Sequence, residues 1–149
     1  MFAEGGFRSC LLKGHGNAQM YPNPLIRQSG DIDLWVDGGR YEVTRYVTIL
    51  VGNVITKYKD IAFKYKDATV EVHSFYTYLN NFRYNKRLQW YIEDNREQQF
   101  EHRVGIGDGM NICSPTDDFN VIFQRWLIYI IIFYCEGIGM RHYIDYLYL

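Results

Sequence analysis

The sequence predicts an α+β core followed by a helical C-terminal subdomain. Three observations lead there. Apolar residues recur at every second position in 31–36, 61–66 and 70–73, the period of a strand buried on one face. Residues 40–54 instead place Val43, Tyr46, Val47, Leu50 and Val54 at helical spacing. From Ser114 onward only helical patterns remain, so the core is assigned to 1–108 and the helical subdomain to 109–149.

Taken in order, 7–13 reads as a helix end running into a short strand, and 14–20 as a turn opening a helix. Pro22 and Pro24 forbid continuation. The strand 31–36 stops at Asp37-Gly38-Gly39. After the helix at 40–54, the segments 61–66 and 70–73 form a hairpin with a short turn. Residues 85–100 make a polar surface helix with Leu88, Tyr91 and Ile92 as its apolar face, and 105–109 a loop. Ser114 as N-cap, with Pro115 at the first helical position, starts a helix to about Cys135. Gly137 and Gly139 break it, and a last helix begins near Met140. Leu149 falls inside an apolar periodic pattern, which reads as a fragment of a longer protein.

Composition narrows the function classes. A chain of 149 residues with 48% hydrophobic and 22% charged residues is globular, not disordered. A net charge of -1 argues against a broad footprint for duplex nucleic acid. The apolar run 126–135 is too short to span a membrane, which needs about 20 residues. Cys10, Cys113 and Cys135 are widely spaced, with no CxxC. Free thiols and a cytoplasmic location follow. His15, His73, His102 and His142 lack zinc-ligand spacing.

The sharpest feature is Gly30-Asp31-Ile32-Asp33-Leu34. In a strand Asp31 and Asp33 project together, about 7 Å apart at Cα, while Ile32 and Leu34 face the core. Two carboxylates so close repel each other unless a cation sits between them. Mg²⁺ or Mn²⁺ held by one or two carboxylates and substrate phosphates is the natural answer. A bare Asp-x-Asp also suits a solvated strand end, so context matters. Upstream, Lys13-Gly14-His15-Gly16 offers backbone N–H groups, a helix start and a positive charge to an anion. Gln19 stands where a dinucleotide fingerprint needs its third glycine. Downstream, Val70 and Val72 bury one face, so Glu71 and His73 share the other. A strand paired beside Asp31 and Asp33 brings Glu71 to the same site, as a metal ligand or as the base for an attacking hydroxyl.

These segments resemble the nucleotidyltransferase superfamily with a DNA-polymerase-β-like palm, a mixed sheet flanked by helices. The chain is similar to the bacterial family called uncharacterised nucleotidyltransferase. The likeness rests on Leu12-Lys13-Gly14, on Arg27, Ser29 and the run from Gly30 to Leu34, and on Val70-Glu71-Val72-His73. Ser114-Pro115-Thr116, then Glu136 to Arg141, and Asp145 extend it. Abortive-infection nucleotidyltransferase toxins carry a similar Arg-x-Ser-x-Asp-Ile-Asp block. Where the superfamily has Gly-Ser or Gly-Gly, this chain has Lys13-Gly14-His15-Gly16, and 127–133 lacks the histidines of relatives.

The resemblance implies transfer of an NMP group from an NTP to an acceptor hydroxyl, with release of pyrophosphate. Asp31, Asp33 and Glu71 are the implied catalytic and metal-binding acids. Lys13, Gly14, His15, Gly16, Arg27 and Ser29 are the implied nucleotide-binding residues. The acceptor is a small molecule, an RNA or a protein, and the near-neutral charge leans away from nucleic acid. The rival reading is a catalytically silent NTP-binding or partner-binding module that keeps the palm. Two lesser motifs have bland counterparts: Arg141 and Asp145 make an i, i+4 helix pair, and the basic and aromatic 81–87 reads as a solvated lead into a helix or as a stacking surface for single-stranded nucleic acid.

Overall fold

A computed structural model describes residues 1–120 except Met20, Gln28, Ser29, Asn80 and 107–109. Ser29, Cys135, the apolar run 126–135, the Arg141–Asp145 pair and most of the expected helical subdomain lie outside the described residues.

Five strands form one mixed sheet: β1 (Arg8–Leu11), β2 (Ile32–Asp37), β3 (Ile55–Thr56), β4 (Asp60–Tyr65) and β5 (Ala68–His73), in the order β1-β2-β5-β4-β3. Only β2 and β5 run parallel; the other pairs are antiparallel. This is the α+β palm arrangement the sequence leads one to expect. Parallel neighbours need a long crossover, and the chain supplies it through α2 (Arg40–Val51), β3 and β4. The expected helix to Val54 stops earlier, because Gly52 takes a positive φ of 79° while its N–H still bonds to the Thr48 carbonyl.

Alternation along the strands builds a core on each face. On one face Val36, Ile61, Phe63, Val70 and Val72 pack against Val43 and Val47 of α2. On the other, Trp35 joins Cys10, Tyr76, Ile92, Phe100 and Phe119. That second layer comes from α3 (Phe82–Asp94) and α4 (Arg96–Glu101). The sequence predicts one helix at 85–100. Asn81 starts it earlier, since its side chain accepts from the N–H groups of Arg83 and Tyr84 at 3.1 and 3.3 Å. Asn95, at φ −99° and ψ 1°, then divides it in two. Arg8 and Arg96 both bond Asp37, Arg8 adds Glu97 and Arg96 adds Glu93. Their guanidinium groups also lie over the Phe100 ring, 5.2 and 5.8 Å from its centroid.

The loop expected at 105–109 is flanked by a hairpin the sequence does not announce: β6 (Arg103–Gly105) pairs with β7 (Asn111–Cys113). Strands of three residues are too short to show a period. The next helix opens at Asp117, not beside Ser114, because the Thr116 carbonyl accepts the N–H of Asn120. Ser114 is buried, and its hydroxyl donates to the carbonyl of Leu11 at 3.2 Å. Cys10 and Cys113 are free thiols, as expected. No helix among the described residues is long and apolar enough to cross a membrane.

The turn between β4 and β5 holds Lys66 at φ 54°, in the left-handed region. That conformation costs a side chain with a Cβ about 1–2 kcal/mol, partly offset by the greater unfolded-state freedom of glycine. Lys66→Gly is therefore expected to stabilise the fold by ~1 kcal/mol, read as a higher urea midpoint at unchanged slope. A lower midpoint would mean that the lysine makes contacts worth more than the strain.

Candidate functional site

The parallel pairing of β2 with β5 sets Asp33 opposite Glu71 and Trp35 opposite His73. Because the side-chain period is two, Asp33, Glu71 and His73 leave the same face of the sheet. One carboxylate oxygen from each acid and one ring nitrogen of His73 lie within 4.8 Å of one another. The side chains are mostly covered: Asp33 is 15% exposed, Glu71 22% and His73 9%.

His73 Nε2 stands 2.6 Å from Asp33 Oδ1. A carboxylate only accepts, so Nε2 carries the proton and donates it. Lys13 Nζ is 3.3 Å from both Asp33 Oδ1 and His73 Nε2. With Nε2 donating to Asp33, the ammonium has the carboxylate oxygen as its acceptor. Burial alone would raise the Asp33 pKa, but the His73 hydrogen bond and the Lys13 charge outweigh it and hold the carboxyl below its ordinary value. On the other flank, Lys57 Nζ lies 3.3 Å from Glu71 Oε1 and 3.6 Å from Asp60 Oδ1. The hydrogen bond and charge of Glu71, with Asp60, keep the Lys57 ammonium pKa above its usual value.

The segment after β1 explains how Lys13 gets there. Leu12 is buried and its N–H bonds to the Asp33 carbonyl at 2.8 Å. Lys13 then takes a φ of 42° and begins the short α1 (Lys13–Ala18). A lysine in the left-handed region is strained, and such strain gathers at functional sites. Arg27, expected among the phosphate ligands, is buried and donates from Nη1 to the Gly14 carbonyl at 2.7 Å. It braces the loop. Gly16 serves close packing, since a Cβ there would sit 3.0 Å from the Leu11 carbonyl oxygen. His15 is half-buried, and its carbonyl accepts from Gln19.

Asp31 stands apart. It is exposed, one residue before β2, and is not a member of the 4.8 Å group. The structure thus gathers Asp33 and Glu71 with Lys13, Gly14 and Arg27 nearby, and gives His73 the place beside Asp33 that the sequence assigns to Asp31. Sequence reasoning missed Lys57, which reaches Glu71 from a loop with no periodic signal, and Asp60 at the start of β4, which pairs with that lysine. It also missed Asn17 in α1, whose buried amide has no hydrogen-bond partner among the described residues. Leaving such a group unsatisfied costs about 1–3 kcal/mol.

Residues 1–122 match the model of a family described as uncharacterised nucleotidyltransferase. No curated protein and no solved structure matches the chain.

The depressed Asp33 pKa carries a stability signature. A carboxyl whose pKa is lowered by folding contributes stability above its unfolded value of about 3.9, and loses it as pH falls through the folded value. In EDTA, wild type should exceed Asp33→Asn in stability at pH 6, and the gap should begin to shrink near pH 4 and close only as pH falls through the lowered folded value. Urea melts at pH 6 and at a series of values below pH 4 test this, and a constant gap would show that the His73 and Lys13 contacts do not favour the ionised form.

Proposed function

We propose that this chain, which belongs to the uncharacterised nucleotidyltransferase family, moves a nucleotidyl group from an NTP to an acceptor hydroxyl at the site built on Asp33 and Glu71. The observation that carries the reading is the convergence of Asp33, Glu71 and His73 within 4.8 Å beside a strained lysine. The donor set fits a divalent ion. Carboxylate oxygens are hard ligands suited to Mg²⁺ and Mn²⁺, and His73, whose Nε2 proton goes to Asp33, stays outside the ligand set. Asp33 and Glu71 would hold the ion, with Asp31 joining from the exposed position before β2. When bound, the ion neutralises charge on the triphosphate and polarises the phosphoryl group.

The chain's own residues supply the rest. Lys13 binds phosphate oxygens as a point charge, and the backbone around Gly14 lies against them. Arg27 fixes that backbone through the Gly14 carbonyl. His73 orients the Asp33 carboxylate. Glu71 takes the proton from the acceptor hydroxyl as its oxygen attacks the α-phosphorus, and pyrophosphate leaves in line.

Thermal-shift measurements with each NTP and Mn²⁺ or Mg²⁺ test the binding half. At least one NTP should stabilise wild type only in the presence of metal, and Asp33→Asn should abolish that shift. Persistence of a metal-dependent shift in Asp33→Asn would remove the ion from this cluster. For the transfer half, Glu71→Gln should slow label incorporation from an α-labelled NTP by about 10²–10⁴-fold while NTP affinity changes much less. Equal losses in both would deny Glu71 a role as base. A wild type that binds metal and NTP yet labels nothing in cell extract would favour the silent module.

A further inference from the structure

The loop between β3 and β4 carries Lys57, Tyr58 and Lys59, and its backbone is pinned on several sides. Arg40, at the start of α2, donates to the carbonyls of Lys57 and Tyr58. The Lys57 N–H bonds to the Asp60 carbonyl at 2.9 Å, and the Ser74 N–H to that of Lys59 at 3.1 Å. A fixed backbone presents fixed side chains. Tyr58 is 75% exposed and stands edge-on to Tyr78, with ring centroids 6.3 Å apart. Lys59 Nζ lies 4.9 Å from the centre of the Tyr78 ring. The same loop touches the proposed base, through Lys57 Nζ and Glu71.

The surface continues onto α3. Gln89 Nε2 donates to the Thr77 carbonyl, and the Leu79 N–H to Asn85 Oδ1, each at 2.9 Å. Residues 77–79 are thereby laced to the helix. Phe82, Lys86 and Trp90 follow at i, i+4 and i+8, a stripe beside the Asn85 and Gln89 line. Phe82 is 80% exposed, and Lys86 Nζ lies 5.2 Å from the Trp90 ring centroid. Glu93 and Asp94 close the stripe with negative charge.

The exposed rings of Tyr58 and Phe82 and the half-buried ring of Tyr78, set among ammonium groups, match one kind of partner. Bases stack on the rings and phosphates meet the lysines. Only unpaired bases offer their faces to such rings, so a duplex does not fit. We infer that the acceptor is single-stranded nucleic acid, held on Tyr58, Tyr78 and Phe82 with Lys57, Lys59 and Lys86, its terminal hydroxyl facing Glu71. This rests on the nucleotidyl-transfer reading for the role of Glu71. In the transfer, the hydroxyl oxygen bonds to the α-phosphorus of the NTP, the bond from that phosphorus to the bridging oxygen breaks, pyrophosphate departs, and the proton passes to Glu71. A near-neutral chain with three lysines on the track binds with a shallow salt dependence.

The test is fluorescence anisotropy of a fluorescein-labelled 12-nucleotide oligouridylate with the full chain. Binding should weaken with salt at a log–log slope near -2, about 0.7 per neutralised phosphate. Tyr58→Ala and Phe82→Ala should each weaken binding by about 5-fold or more, with circular dichroism unchanged. Tyr58→Phe should restore it, and a duplex should bind at least tenfold more weakly. No binding, or binding indifferent to both ring deletions, overturns the track. If it does so while Asp33 still governs a metal-dependent NTP shift, nucleotidyl transfer stands and only the acceptor class falls. If the oligonucleotide binds as expected but no NTP shift exists, the acceptor role is overturned together with the transfer reading.

Discussion

The parallel pairing of β2 with β5 is the constraint on which the site depends. A strand pair specifies its register wherever one face is buried, because a one-residue slip would send every side chain to the opposite face. Here Val36, Val70 and Val72 are buried under α2, so the register is set by apolar packing, not by the acids. The acids are placed as a by-product: with the valines inward, Asp33 and Glu71 meet on the other face. Apolar packing thus holds two mutually repelling carboxylates together, and the repulsion is met by charge from outside the pair.

That compensating charge comes from both sides. Lys13 approaches Asp33 from the loop after β1, and Lys57 approaches Glu71 from the loop before β4. Each lysine sits on a backbone held for the purpose, by the strained φ at Lys13 and by the Arg40 clamp on the carbonyls of Lys57 and Tyr58. The two flanks differ in kind. The Lys13 side offers glycines and backbone, which suit a compact polyanion. The Lys57 side offers flat rings, which suit something planar. A group-transfer enzyme needs such asymmetry, since its donor and acceptor differ chemically and must enter from different directions.

Much of this was legible in the sequence. The alternation of Ile32, Leu34 and Val36 and of Val70 and Val72 located the two strands that matter, and it put Glu71 and His73 on one face. The helical spacing of Val43 and Val47 located α2. What stayed hidden was of two kinds. Short elements such as β3 and the β6–β7 hairpin have too few residues for a period to emerge. Contacts between loops carry no period at all, so nothing near Lys57 or Arg40 announced Glu71 or the clamped carbonyls. The expectation that Asp31 and Asp33 project together from one strand came from treating both as strand residues. Asp31 precedes the strand, so the period-two rule does not govern its side chain. Chemistry in the middle of a strand can be read from the sequence; chemistry at its ends depends on how the loop leaves.

The brevity of β3 has one more consequence. The sheet needs a last strand beyond β4, and any last strand leaves unpaired backbone groups facing outward. Two residues expose too little of that template for a second chain to zip on, and the basic loop that follows repels an identical copy. Tyr58 can therefore stand exposed next to that border with little strand template beside it for a second copy to join.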